Sequence, residues 1–245
     1  MDLSSLFRSA VADAYDDNGA DPESVPMSLC QACVQVLPIA GAGISLTDQL
    51  RVPLGASDAV AARAERLQTT LGEGPCLAAA AAARPLVADL ESMAARWPVF
   101  HQELLRQTPF RSIASFPLLA RNGATRLGAL DLYLVIPEPV PEFFLSVVAH
   151  AIAAPIGTVL FDAEPGPAGR NVLPPWLNNV AVNRRMQVWV AVGILIEHAG
   201  SGNDDALAAL RAYAFAHDET IEDTAVGLLS QELHPQAVIG ERTPA

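Results

Sequence analysis

Lysine is absent from this 245-residue chain. All fifteen cations other than histidine are arginine, against 27 aspartates and glutamates, and the formal net charge is −12. A chain this acidic is repelled by phosphate backbones and anionic membrane surfaces, so a nucleic-acid partner has to be met by a local cluster of arginines. Cysteine is scarce as well. Cys30, Cys33 and Cys76 cannot build a disulfide framework in a chain of this length and fit a reducing compartment. The five histidines (His101, His150, His198, His217 and His234) lack HExxH or comparable spacing, so no metal site is expected. GxSxG, P-loop and strand-to-helix GxGxxG signatures are missing, and the acids show no paired catalytic context. The chain therefore reads as a non-enzyme without a cofactor. The N-terminal MDLSSLFRSAVADAYDD has neither the basic and apolar regions nor the cleavage site of a signal peptide, so the expected location is the cytoplasm.

What is present is apolar. With 51% hydrophobic and only 17% charged residues, the chain can bury substantial cores. Phe143 to Phe161 holds no formally charged residue and is roughly long enough to cross a bilayer as a helix. Its flanks are Glu142 and Asp162 rather than lysine or arginine, and it contains His150 and Pro155, so it reads as a buried or dimer-forming helix and not as a membrane span. Leu3 to Asp17 is amphipathic and pairs naturally with it in a homodimer interface.

The periodicities predict a helix over Ser24 to Val36, short strands over Ala42 to Leu46 and Arg51 to Leu54, and a helix capped by Ser57 running to Leu71. Gly72-Glu73-Gly74-Pro75-Cys76 turns tightly into another helix, and Leu86-Val87 is a short strand. Trp97 to Gln107 reads as helix. Ser112 to Leu119 and Arg126 to Val135 read as strands joined by an Asn122-Gly123 hairpin turn, followed by a helix from Pro141 to Asp162. The stretch 163–175, rich in proline and glycine, reads as a linker. Three apolar-periodic helices occupy 176–235, and 236–245 reads as a flexible tail. The order is α+β, with residues 1–162 forming one domain.

Within residues 28–160, LPIAGAGISL, VPLGASDAVAARAERLQTTLGEGPC, RPLVADL, RWPVF and GALDLY follow one another in an order that resembles the GAF domain of actinobacterial GAF–ANTAR regulators. The resemblance implies a central antiparallel sheet with a small-molecule signal pocket on one face and dimerising helices on the other. On the strand Leu127 to Leu134, Gly128, Leu130, Leu132 and Leu134 share one face and Asp131 and Tyr133 the other. Ser115, or Ser112 on the same strand, with Arg111, Trp97 and Phe100 completes the candidate ligand site. Its bland alternative is a structural Asp131–Arg111 pair in a filled pocket. Cys76, in the first turn of a helix whose dipole favours thiolate, is the candidate redox residue. Cys30-x-x-Cys33 reads as core.

From Arg184 to His234 the chain carries Ala191, Gly193, Ile194 and Leu195, then Ala206, Leu210, Arg211, Tyr213 and Ala214, then Asp223 and Ala225. This pattern resembles the ANTAR domain, a three-helix module of bacterial regulators that binds hairpin RNA as a dimer. The resemblance implies a signal-sensing regulator acting in transcription antitermination. Arg184, Arg185, Arg211, Tyr213 and His217 are the candidate RNA contacts, because hairpin loops are read by stacking and by arginine. Arg211 could equally serve an intramolecular salt bridge, and Tyr213 the core. From Trp176 onward there are four arginines and nine acids, hence 4 − 9 = −5. A tail of that charge also fits a second reading, in which it serves dimerisation or protein docking without RNA. A GAF-type free methionine sulfoxide reductase is the third reading, and Cys30, Cys33 and Cys76 do not reproduce its arrangement.

Overall fold

The computed structural model describes residues 2–47, 51–119, 126–136, 140–161, 174–178 and 180–240. The Asn122-Gly123 turn and most of the 163–175 linker lie outside them. Two helices open the chain, α1 (Leu3–Asp17) and α2 (Val25–Val36). Asp2 caps α1 by accepting the Ser5 N–H at 2.9 Å, and Asn18 ends it by donating to the Ala14 carbonyl and to Ser28 and Gln31 of α2, each at 2.8 Å. One side-chain amide thus closes one helix and fixes its packing on the next.

Five strands follow, β1 (Gly41–Leu46), β2 (Val52–Ala56), β3 (Leu86–Ala88), β4 (Ser112–Leu119) and β5 (Arg126–Leu134), paired antiparallel in the order β2-β1-β5-β4-β3. Between them lie α3 (Ala59–Leu71), α4 (Pro75–Ala82), α5 (Leu90–Arg96) and α6 (Pro98–Gln107). The expected cap of α3 moves by one residue. Asp58 accepts the Val60 and Ala61 N–H groups, whereas the Ser57 hydroxyl is taken by the Ala42 N–H at 3.0 Å. Two adjacent capping residues compete, and the neighbouring strand decides between them. Helix α5 was not expected. Its start is marked by Asp89, which accepts the Ser92 N–H at 2.8 Å, and seven residues are too few for a clear apolar period.

The sheet separates two cores. Leu130 and Leu132 of β5 pack with Phe7, Leu29, Ile44 and Ile152 under α1, α2 and α7 (Glu142–Phe161). On the opposite face Tyr133 and Ile113 join Met93, Phe100, Leu104 and Phe110 under α3, α5 and α6. Helix α7 is the one helix among the described residues long and apolar enough to cross a membrane, and it lays Val148, Ile152, Ile156 and Leu160 on the sheet. Pro155, which has no N–H to donate, follows a π-helical turn at Ala149–Ala153, where the Ala154 N–H reaches five residues back to the Ala149 carbonyl.

The C-terminal part contains α8 (Val180–Ala199), α9 (Asn203–Ala216), α10 (Ile221–Leu229) and α11 (Pro235–Ile239). Val188, Ala191, Leu195, Leu210, Ala214, Ala225 and Leu228 form its own core. The segment expected to be a flexible tail from residue 236 is helical to Ile239, because Val238 finds a place in that core and Pro235 presets the first turn.

Candidate functional site

Strand register lines up the first group of polar residues. Gly43 of β1 and Ser115 of β4 both lie opposite Asp131 of β5. The missing side chain at Gly43 leaves room for the Glu65 carboxylate of α3, since a Cβ built there would come within 2.2 Å of Glu65 Oε1. Into the same space reaches Arg51, which precedes β2 and is 2% exposed.

Arg51 uses its whole donor fork. Nε donates to Cys76 Sγ at 2.9 Å, and Nη1 donates to the Glu65 carbonyl at 2.8 Å and to Thr69 Oγ1 at 2.9 Å. Nη2 pairs with the Glu65 carboxylate and lies 3.4 Å from Asp131 Oδ2. Gln68 Nε2 donates to Asp131 Oδ2 at 2.6 Å, while its Oε1 accepts the Cys76 N–H at 3.1 Å. Ser115 donates to Asp131 Oδ1 at 2.5 Å, and the Tyr133 hydroxyl donates to Glu65. Phe110 stacks on the Tyr133 ring at 4.7 Å.

Burial, reinforced by the Glu65 carboxylate, raises Asp131 to about 7, against the pull of Arg51, Ser115 and Gln68. Burial also pushes the Tyr133 phenol well up. For Arg51 burial acts downward, but the acidic groups around it outweigh that, and the Glu65 and Asp131 carboxylates hold the guanidinium protonated. The arrangement is a buried ion cluster in which one fixed cation is shared by two carboxylates, and Asp131 can carry a proton near neutrality.

Of the six residues expected to bind a ligand, Ser115, Asp131 and Tyr133 belong to this cluster. Phe100 and Trp97 line the adjoining core, with Arg96 stacked 4.3 Å from the Trp97 ring. Arg111 stands apart, its Nη1 donating to the Thr108 and Phe110 carbonyls at 3.2 and 2.8 Å. The space beside Asp131 and Tyr133 is filled by Arg51, Glu65 and Gln68, so the pocket face is occupied by the chain's own side chains. The partner of Asp131 is Arg51 and not Arg111. Cys76 is fully buried, and burial raises its thiol despite the Arg51 cation. A neutral, inaccessible thiol is a poor nucleophile, which removes the redox assignment. Cys30 and Cys33 are buried in the other core.

The second group lies where the tail meets the sheet domain. Helix α9 packs on α3, and α8 packs on β2. The Arg211 guanidinium of α9 covers Gly72, the left-handed cap of α3 (φ 69°), so closely that a Cβ there would lie 2.4 Å from its Cζ. Arg185 is 1% exposed and donates from Nη1 to Glu222 at 2.7 Å, while the exposed Arg184 pairs with Asp223 at 2.9 Å. Burial lowers Arg185 to about 10 even though Glu222 opposes it, and Arg211 is lowered by burial. Tyr213 is half-buried and stacks on the exposed His217 ring at 3.9 Å. Arg106 of α6 reaches Asp218 at 3.2 Å across the seam.

Two cavities open along this seam. One of about 380 Å³ is lined by Arg63, Arg66, Arg106, Phe215, Asp218 and Glu219, among others. One of about 340 Å³ lies between Leu54, Glu65 and Arg66 on one side and Arg184, Thr220 and Glu222 on the other. The five residues expected to contact RNA are thus spread over α8, α9 and the turn after it. Arg184 and Arg185 are held by acids of α10, and Arg211 by the end of α3. The cations Arg51 and Arg106, and the acids Glu65 and Glu222, were not singled out in the sequence. Arg51 meets Glu65 from 14 residues away and Arg106 meets Asp218 from 112, although Arg106 also bonds the nearby Glu103.

No family model matches the chain, and no curated protein matches it. Among solved structures it is similar to a domain of a two-component sensor histidine kinase protein from Sinorhizobium meliloti 1021, with a TM-score of 0.44 and 16% identity over 56% of this chain and 88% of that one. It is also similar to the GAF domain of a phosphoenolpyruvate-protein phosphotransferase from Coxiella burnetii, with a TM-score of 0.44 and 13% identity over 64% and 95% of the two chains. A third is free methionine-R-sulfoxide reductase from Neisseria meningitidis, with a TM-score of 0.39 and 15% identity over 62% and 87%.

Proposed function

We propose that this chain is a signal-responsive regulator in which a GAF-type domain controls an ANTAR-like tail that binds hairpin RNA in transcription antitermination. The observation that carries this reading is the double role of α3. Its inner face gives Glu65 and Gln68 to the buried cluster, and its C-terminal cap, Gly72, carries the Arg211 guanidinium of the tail. A change in the cluster that shifts α3 therefore changes how Arg211 is presented. Here Arg184 and Arg185 are paired with acids and Arg211 is packed against Gly72, and RNA binding requires their release. The regulator is a cytoplasmic homodimer and not an enzyme. Its dimer contact is the helix pair α1 and α7, where Leu6, Phe143 and Val159 are exposed. Two tails side by side raise the local concentration for a two-site RNA.

The test is hairpin-RNA affinity of the full chain as a function of salt. The wild type is expected to bind weakly, and Gly72→Ala, which displaces Arg211 from the cap, to bind more tightly with a steeper salt dependence. If neither protein binds at low salt, the second reading takes over. The ion pairs that occupy Arg184 and Arg185 favour that reading, in which the tail serves as a docking or dimerisation module.

A further inference from the structure

The cluster beneath α3 sets two carboxylates against one guanidinium. Arg51, Glu65 and Asp131 are each at most 2% exposed, and among the described residues Arg51 is the one cation that pairs with either acid. Its Nη2 sits against Glu65 but lies 3.4 Å from Asp131 Oδ2, so Asp131 is the less well compensated of the two. With both acids ionised the core holds a negative charge that no cation balances, which desolvation strongly opposes. The other groups facing Asp131 carry no charge. Ser115 of β4 and Gln68 of α3 are neutral by nature, Gly43 of β1 brings no side chain, and burial keeps Tyr133 of β5, Cys76 of α4 and, across the sheet, Cys30 of α2 protonated.

Hydrogen bonding decides which oxygen can take a proton. Oδ2 accepts from Gln68 Nε2, and that amide is fixed in its orientation because Gln68 Oε1 accepts the Cys76 N–H. Oδ1 faces the Ser115 hydroxyl, which can turn from donor to acceptor. A proton taken from water therefore fits on Oδ1 without disturbing Gln68. The same Gln68 reaches the seam. Its main-chain carbonyl accepts the Gly72 N–H at 3.0 Å, so one residue holds both ends of the turn from Gly72 to Cys76, and Arg211 rests on the first of them.

We propose that the signal read by the sheet domain is the proton. One proton on Asp131 Oδ1, donated to Ser115, holds α3 against the sheet, and its loss sets Glu65 of α3 against Asp131 of β5 and loosens the Gly72 seat of Arg211. The space beside Asp131 is filled by the chain's own side chains, which suits a signal that needs no room. Burial and the Glu65 carboxylate raise Asp131 to about 7 against the pull of Arg51, Ser115 and Gln68, so the hold on α3 is firm in acid and weakens as pH rises through neutrality. The proposal rests on the reading that α3 couples the cluster to the tail, but not on RNA binding.

The test is nuclear magnetic resonance of the full chain at pH values from about 5 to 8.5, a range set to bracket the raised value and exclude an ordinary aspartate. The Asp131 carboxyl carbon should titrate with a midpoint near 7, and the Gly72 and Cys76 amides and the Arg211 Nε–H should follow with the same midpoint. In Asp131→Asn all three reporters should stay flat. Ser115→Ala removes a donor to the ionised carboxylate and should move every midpoint up together by about one pH unit. If Asp131→Asn does not fold, Ser115→Ala carries the test. An Asp131 carbon that does not titrate within this range would overturn the proposal. So would Gly72 and Arg211 signals that fail to move with it in Ser115→Ala, since the proton would then not be transmitted to the seam. Coincident midpoints in a chain that binds no hairpin RNA at any pH would remove the antitermination reading and leave the proton switch standing.

Discussion

Two arginines, each at most 2% exposed, are treated in opposite ways by their surroundings. Arg51 in the sheet domain spends all of its donors on Cys76, Glu65, Thr69 and Asp131. Arg185 in the tail meets one acid and leaves the edge of its fork empty. The first is a finished structural cluster, and the second keeps two buried donors without a partner beside an unpaired Glu222 oxygen. Burial of charge alone therefore does not mark function. The difference lies in whether the donors are used, because a satisfied buried ion pair has no donor left to offer a ligand.

The largest expected effect is on Arg51. Its replacement by methionine strands Glu65 and Asp131 in the core and should cost about 3–5 kcal/mol in chemical denaturation. Adding Glu65→Gln and Asp131→Asn should recover much of that loss. If the single variant is as stable as wild type, the two buried arginines do not differ in the way described.

Gly72 comes next. Its φ of 69° disfavours a side chain, and a Cβ would strike Arg211, so Gly72→Ala should destabilise by about 1–3 kcal/mol. Shortening the intruding residue with Arg211→Ala should relieve only the collision. Full recovery in the double variant would place the entire cost at the seam, whereas no recovery would mean that Arg211 does not rest on the cap.

The pH dependence of the finished cluster follows from Asp131. Its folded value of about 7 exceeds the ordinary 3.8, so the folded state retains a proton that the unfolded chain has lost. The stability linked to this group is full below pH 3.8 and falls as pH rises toward 7, at up to about 1.4 kcal/mol per pH unit. Urea denaturation at several pH values should show wild type losing stability relative to Asp131→Asn between pH 5 and 7, a window set by the raised folded value. A constant difference would mean that Asp131 stays ionised.

The smallest effect belongs to Arg106, whose bridge to Asp218 is exposed on both sides. Arg106→Ala should leave the unfolding temperature nearly unchanged, and any loss should vanish at high salt. A large salt-independent loss would show that the seam is held at its rim instead of at Arg211.

Much of the framework was legible along the chain, because strands and helices announce themselves through local period. The alternation on β5 separated Leu130 and Leu132 from Asp131 and Tyr133, and these pairs do face different cores. Stop signals such as Asn18 and Gly72 mark real helix ends. The choice of Arg111 as the cation for Asp131 shows the limit. Arg111 lies next to the strand in sequence, but its side chain turns to nearby carbonyls, while Arg51 arrives from 80 residues before Asp131. A long side chain's destination depends on which cavity has room for it, and no local period records that.

The sequence by itself determined the acidic balance, the absence of lysine, the α+β order of elements and the two-faced β5 strand, since these depend on composition and on neighbours a few residues apart. The tertiary structure decided which acids each arginine meets, that the pocket face of the sheet is filled by Arg51, Glu65 and Gln68, and that Arg185 keeps a free fork at the seam. Those outcomes depend on packing between segments distant in the chain, where a side chain bonds whichever partner the fold brings within reach.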